Sequence, residues 1–319
     1  MSNNSPETLL EAVTYFADAD NAHNFMVAMR WPAGVVACPT CGRSDVRYLA
    51  NQRRWECKEK HPKRQFSVKV GSIFEDSPIS LSKWLPALWL TANDKNGISS
   101  YELGRGLGVT QTTAWFMLHR IRLAMQSDDY TKLDGTIEVD ETFIGGRARF
   151  MHRDRASRAV NGRGPVGKIA VMGLLERHGP DGHSTVRTRI LPNTTKATLT
   201  GHVRSNVARG AEVMSDAYKG YNGLEREYMR GVIDHAEKYV DGKVHTNGIE
   251  NFWALLKRAI KGTYVSVEPF HLFRYVDEEA YRFNHRKATD AERFLRLARQ
   301  VGGKRLTFKE LTAATTTPA

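Results

Sequence analysis

The sequence predicts an α/β protein of about two domains, a small β-rich module with helices beside it and a larger domain in which strands alternate with helices. Residues 35 to about 75 break into short apolar pieces and turns, such as "VRYLA" and "RQFSVKVGSIF". All three cysteines fall between positions 38 and 57. From "GTIEVDETFIGG" onward, strand-like runs recur between helical stretches up to about residue 288. At 41% hydrophobic and 26% charged residues, the 319-residue chain can bury real cores. Forty-seven Lys and Arg against 35 Asp and Glu give a net charge of +12, which favours a polyanionic partner. No apolar run approaches the ~20 residues needed to span a bilayer. "MSNNSPETLLEAV" has no basic region ahead of an apolar core, so no membrane partner and a cytoplasmic location are expected.

Along the chain, residues 1–30 read as an N-terminal helical segment: Pro6 suits a first turn, and Leu9, Leu10, Val13, Phe16 and Ala17 recur at helical spacing until "RWPAG". The β-rich module occupies 31–76. Helices return from Leu81 to about Asn93 and from Ser99 to Met125, separated by "DKNG", which makes 77–130 a helical segment. The second domain spans 131–290, and 291–319 is expected to be a tail that frays at "AATTTPA".

Cys38 and Cys41 form a C-x2-C knuckle in "CPTCG", Cys57 follows sixteen residues later, and His61 stands four beyond it. Two ligand pairs on tight turns supply a tetrahedral site from a short chain, so Cys38, Cys41, Cys57 and His61 are read as a Cys3His site for one structural Zn2+. A module of about 40 residues cannot bury enough apolar surface to fold alone, and a metal offsets that deficit. Between residues 43 and 69, nine Lys or Arg and three acids are interleaved with Tyr48, Trp55 and Phe66. Such a surface is either simply solvated or contacts phosphates.

"ISSYELGRGLGVTQTTAWFMLHRIRLAM" has the layout of a helix-turn-helix: a serine cap, a first helix ending near Gly106, Gly108, and a second helix from about Thr110. In that motif the second helix enters the major groove, which would make Gln111, Thr112 and Thr113 the reading positions and bring Arg120 and Arg122 near phosphates.

In "TIEVDETFIGG" the two-residue period of a strand places Ile137, Val139 and Glu141 on one face and Glu138, Asp140 and Thr142 on the other. An acid centred in a strand is costly unless paired or bound to a metal. "KIAVMGLLER" (168–177) and "HSTVRTRIL" (183–191) flank the turn "HGPDG" as a hairpin, and a helix follows from about Thr195 to Arg209. The buried run "AEVMSD" ends at Asp216, and the C-terminal end of such a strand is where open α/β sheets keep their sites. "YMRGVID" (228–234) and a helix from Asn247 or Gly248 complete the order βββαβαβα, the second α being a turn or short helix. That order on a mixed sheet is the ribonuclease-H-like arrangement, with acids where its metal site would lie. Cleaving and rejoining phosphodiesters is well served by two divalent ions about 3.5 to 4 Å apart. Mg2+ (or Mn2+) prefers carboxylate oxygen, which is why such a site needs Asp and Glu. Taken singly, Asp216 also fits a helix cap and Asp140 a partner for an arginine.

Together and in order, "RWPAGVVACPTCG", "RQFSVKVGSIFEDS", "IEVDETFIGG", "VMSDAYKGY" and "HTNGIENFWALLKR" ending in "YRFNHR" resemble the bacterial DDE transposases of the ISXO-like insertion-sequence group, from about Glu11 to Arg286. The resemblance implies an N-terminal zinc ribbon ahead of a catalytic domain that binds transposon ends and performs metal-dependent strand cleavage and transfer. It carries the two aspartates of that site onto Asp140 and Asp216, and the basic partner of the third ligand onto Lys257. Members of the group have glutamate or asparagine at the third position, which Glu250 and Asn247 offer here. The second zinc pair departs from the group's two-cysteine form, because His61 stands in for a cysteine. The implied partner is double-stranded DNA, both transposon end and target, met by a homodimer or higher assembly at the nucleoid. A transposase-derived DNA-binding protein without catalysis and a structure-selective nuclease are the alternatives.

In "IENFWALLKRAIK" a helical wheel gives Ile249, Trp253, Leu256 and Ile260 as an apolar stripe, with Glu250, Ala254, Lys257 and Lys261 on a neighbouring face. Glu250 and Lys257 are seven residues apart, so at about 100° per residue they fall nearly on one line. Glu250 is read as the third metal ligand, Asn247 as helix cap or secondary ligand, and Lys257 and Lys261 as contacts to DNA. His245 and Tyr218 are candidates to lie near the metals. The basic segment "GGRARFMHRDRASRAVNGRGPVGK" (145–168) is expected to be solvated when free and to order on DNA.

Overall fold

The computed structural model describes residues 6–127, 131–145, 168–179, 182–233 and 244–313. The chain forms two compact units: residues 1–126 together with 285–319, and residues 127–284. Among the described residues no helix is long and apolar enough to cross a membrane. The basic segment expected to order on DNA lies, from 146 to 167, outside the described residues.

In the first unit, the helical run expected over 5–30 is two helices, α1 (Leu9–Ala17) and α2 (Ala19–Arg30). Asp18 divides them, because its Oδ1 accepts from the Asp20 and Asn21 N–H groups at 2.8 and 2.9 Å and so starts a new helix. Of the expected apolar stripe only Phe16 is buried among its large members; Leu9, Leu10 and Val13 are exposed. Strands β1 (Val46–Leu49), β2 (Arg54–Cys57) and β3 (Gln65–Ser67) form an antiparallel sheet, on which Trp55 stacks with His23 and with Phe66. Helices α3 (Leu81–Asn93), α4 (Ser100–Leu107) and α5 (Gln111–Met125) follow. A reciprocal cap between Ser99 and Glu102 opens α4, Gly108 closes it at φ +61°, and Thr110 caps α5.

The expected tail is instead two helices of this unit, α9 (Asp290–Arg299) and α10 (Phe308–Thr312). Phe294 is fully buried with its ring 5.7, 5.4 and 5.1 Å from those of Phe16, Phe25 and Trp89. Between the helices, Ile73 N–H donates to Val301 O at 3.0 Å and Gly303 N–H to Gly71 O at 2.9 Å, which ties the C-terminal segment to the end of the β-rich module.

The second unit is a five-stranded mixed sheet in the order β6-β5-β4-β7-β8. Strands β4 (Thr136–Ile144), β5 (Ile169–Glu176) and β6 (Thr185–Leu191) are antiparallel neighbours, while β7 (Glu212–Asp216) runs parallel to β4 and β8 (Met229–Ile233) parallel to β7. One face, through Ile137, Val139, Met172 and Val213, packs on α6 (Lys196–Asn206) by way of Leu199 and Val203. The other, through Val171, Leu175 and Val186, packs on α7 (Asn247–Ala259) and α8 (Leu272–Asn284). The turn or short helix expected between β7 and β8 is a pair of 3-10 turns (Lys219–Tyr221 and Leu224–Arg226). Gly223, at φ +98°, a conformation that favours glycine, separates the two turns.

Candidate active site and metal centre

The donor atoms of Cys38, Cys41, Cys57 and His61 all lie within 4.8 Å of one another. Cys38 Sγ is 3.5 Å from His61 Nε2, and Cys41 Sγ is 3.6 Å from Cys57 Sγ. A tetrahedron with zinc–sulfur bonds of about 2.3 Å and zinc–nitrogen bonds of about 2.0 Å has edges of about 3.8 Å and about 3.5 Å, so the quartet fits zinc. Local geometry builds it. Gly42, at φ +75°, lets its N–H return to Cys38 O at 2.8 Å, which folds the knuckle. His61 Nδ1 donates to Pro62 O at 2.7 Å, leaving Nε2 for the metal. Burial pushes the Cys38 thiol up, but the N–H groups of Cys41 and Thr40 outweigh it and bring it down to about 7, towards the thiolate that ligates.

In the sheet of the second unit, the β4–β7 ladder pairs Thr136 with Glu212 through Val139 with Ser215 at one constant offset. One step further that offset sets Asp140 beside Asp216, on strands about 4.8 Å apart. Alternation turns both towards the face covered by α7, where Trp253 Nε1–H donates to Asp140 Oδ2 at 2.9 Å. Burial pushes the Asp140 carboxyl up to about 7, with the neighbouring charges of Glu141 and Asp216 adding to the rise. Two acids gathered in this way favour a cation, and their oxygens suit a hard one. Asp216 also accepts the Tyr218 N–H at 3.0 Å, and the Tyr218 hydroxyl donates to Thr194 O at 3.2 Å. Glu141 faces the other side of the sheet, where it accepts from the buried Tyr221 hydroxyl, and burial raises its carboxyl too.

The residues on α7 are placed differently from expectation. Thr246, not Asn247, occupies the cap; Asn247 is the first helical residue, and it is exposed. Glu250, also exposed, accepts from the Thr246 hydroxyl at 2.9 Å. Among the described residues the Cys3His quartet is the one group of three or more Cys, His, Asp or Glu donors close enough to share an ion, so Glu250 is not drawn into one with Asp140 and Asp216. Lys257 is half-buried and Lys261 exposed, the latter in a π-turn (Ile260–Tyr264) that extends α7. His245 reaches Arg177 rather than an aspartate.

Sequence reasoning did not single out two residues that organise this region. Glu138, 1% exposed, accepts the Ile249 N–H at 2.8 Å and so fills the cap role assigned to Asn247. Its signal was an acid in a strand flanked by Ile137 and Val139. Trp253 was read only as part of an apolar stripe, and its N–H gave no signal.

In the first unit, Gly108 to Thr110 form a three-residue turn between α4 and α5, the spacing of a helix-turn-helix. Thr112 is exposed there, whereas Gln111 donates to Ser100 Oγ at 2.8 Å and Thr113 is hydrogen-bonded to Thr110 at 2.8 Å. Arg120 and Arg122 are not phosphate contacts: they are 4% and 1% exposed. Arg120 donates to Leu306 O, Ile73 O and Glu75 O at 3.0, 3.1 and 2.8 Å and lies 4.3 Å over the Phe116 ring. Part of what covers α5 at Arg120 thus comes from a residue nearly two hundred positions away, Leu306.

Residues 132–284 match the ISXO2-like transposase domain, and residues 17–59, which contain all three cysteines, match the transposase zinc-ribbon domain. The chain is 27% identical over 263 residues to an uncharacterized protein in transposable element ISH50 of Halobacterium salinarum, a match covering 76% of this chain and 83% of that one. It is 30% identical over 101 residues to an uncharacterized transposase-like protein of Haemophilus influenzae, covering 31% of this chain and 81% of that one. The chain belongs to the ISXO2-like transposase family, with a transposase zinc ribbon ahead of its transposase domain.

Proposed function

We propose that this transposase binds transposon ends and cleaves and transfers their strands at a divalent-metal site built on Asp140 and Asp216. The observation that carries the reading is their adjacency: two aspartates far apart in sequence stand at neighbouring positions of parallel strands, on the face that α7 covers. Asp140 and Asp216 hold the cation, with Mg2+ or Mn2+ favoured by oxygen-only donors. Held there, a divalent ion would supply Lewis-acid assistance to the attacking and leaving oxygens of the phosphodiester. Glu250, or Asn247 beside it, supplies the third donor, and Lys257 and Lys261 on the flank of α7 meet the DNA backbone. The α4–α5 turn presents Thr112 to the bases of the end, while the zinc ribbon adds basic surface for its phosphates. The working form is a homodimer or higher assembly on DNA, as two ends must be joined.

The test is cleavage of a labelled end fragment in Mg2+. Asp140→Asn and Asp216→Asn are each expected to lower it by about a thousandfold or more with end binding retained. Normal cleavage by either variant would remove that residue from the site. Glu250→Gln set beside Asn247→Ala identifies the third donor as whichever loses cleavage.

A further inference from the structure

Helix α7 is attached to strand β4 at two points. At the first, Glu138 Oε2 accepts the Ile249 N–H at 2.8 Å, one of the helix-start N–H groups that has no partner within the helix. Its other oxygen accepts from Arg177 Nε at 2.6 Å. At the second, Trp253 Nε1–H donates to Asp140 Oδ2 at 2.9 Å. The spacings agree: Glu138 to Asp140 is two strand residues, about 6.6 Å, and Ile249 to Trp253 is four helical residues, about 6.0 Å. The helix therefore runs alongside the strand in the same direction with both attachments in register.

Each attachment has a glycine next to it. A Cβ at Gly248 would stand 2.9 and 3.0 Å from the two Glu138 carboxylate oxygens. Gly173 pairs with Asp140 across the β4–β5 ladder, and a Cβ there would stand 2.8 and 2.9 Å from the Trp253 ring and 2.6 Å from Ile249 Cδ1. The indole occupies the space that Gly173 leaves over the sheet. The Trp253 N–H is only a donor, so it cannot itself bind a cation. What it does is engage one oxygen of the Asp140 carboxylate, Oδ2, in a fixed direction.

We propose that Trp253 is a positioning residue for the metal site: its indole N–H orients the Asp140 carboxylate, in a register that the Ile249–Glu138 bond sets and that Gly173 makes sterically possible. The proposal rests on Asp140 being a metal ligand, as argued above. Orienting partners of metal ligands are typically worth 10- to 100-fold in metal affinity.

The test uses the zinc-loaded full-length protein and Mn2+ alone, with bound Mn2+ followed by electron paramagnetic resonance. Trp253→Phe removes the N–H while keeping an aromatic ring. Incorporation of 3-benzothienylalanine at position 253 replaces the indole N–H by sulfur at nearly constant shape, so the question stays answerable if the Phe variant folds poorly. Both are expected to weaken Mn2+ binding at least about tenfold with circular dichroism and zinc content unchanged. Gly173→Ala, which displaces the indole, is expected to weaken it comparably. Wild-type Mn2+ affinity in the benzothienyl variant, alongside its loss in Asp140→Asn, would overturn the positioning role and leave the site intact. Wild-type affinity in Asp140→Asn itself would overturn the site assignment and this proposal with it.

Discussion

The zinc quartet and the aspartate pair are assembled by opposite means. The quartet's four ligands fall within the short span from Cys38 to His61, with their donor atoms all within 4.8 Å of one another. The aspartates come together only because β4 and β7 lie side by side in parallel, a pairing made by strands 76 residues apart in register, and among the described residues no third Cys, His, Asp or Glu side chain joins them. A site that holds a fold together can be complete in one local turn-and-strand unit. A site that acts on a substrate draws on distant elements and can leave donors to converge when charge arrives.

Removing zinc from the quartet should have the largest effect. Cys57→Ser, or chelation, is expected to unfold the ribbon outright, while the sheet of the second unit keeps its circular dichroism and its slow amide exchange. A ribbon that stays folded without metal would show that the quartet is not what holds it together.

The aspartate pair should respond to protons rather than to chelation of zinc. The folded Asp140 carboxyl, near 7 against an ordinary 3.8, holds a proton that the unfolded chain has already released. Metal-free stability therefore falls as pH rises between about 4 and 7, the range between those values. A cation competes with that proton, so cleavage at subsaturating Mg2+ should rise about tenfold per pH unit up to about 7 and then level off. A flat profile between pH 5 and 8 would mean that Asp140 is not the group the metal displaces a proton from.

A smaller effect is expected at Glu138. Glu138→Gln keeps the shape but takes the negative charge from Arg177, and chemical denaturation should show a loss of about 1–3 kcal/mol in the second unit. No measurable change would show that the Arg177 pairing and the α7 start are not what that buried charge maintains. The smallest belongs to Thr112→Ala. As a single exposed residue in the first turn of α5, it is expected to weaken end binding by a few fold, roughly 1 kcal/mol, without altering cleavage of bound ends.

The quartet was legible in the sequence because spacing alone determines a local site. The strands and most helices were legible for a similar reason, since periodicity is a local property: "KIAVMGLLER", "AEVMSD" and "YMRGVID" sit on β5, β7 and β8. Asp140 and Asp216 could be singled out one at a time, but their adjacency is a register between strands that no window contains. Arg120 and Arg122 were misjudged because a helix viewed alone does not reveal that Leu306 and Ile73 will cover it. The α7 cap was misassigned for the same cause: Asn247 is a good capping residue locally, but Glu138 arrives from another element. In "TDAERFLRLAR" the Thr289–Glu292 cap and the apolar Phe294, Leu297 and Ala298 at helical spacing are a local helix signal, although the polar composition beyond residue 300 marks a tail.

The return of residues 285–313 to the first unit means that the transposase domain is an insertion, entered and left by the chain from the same folded body. Residues 285–313 are thus physically a part of the zinc-ribbon half. A truncation before Phe294 would strip the aromatic cluster around Phe16, Phe25 and Trp89 while leaving every residue of the inserted sheet in place.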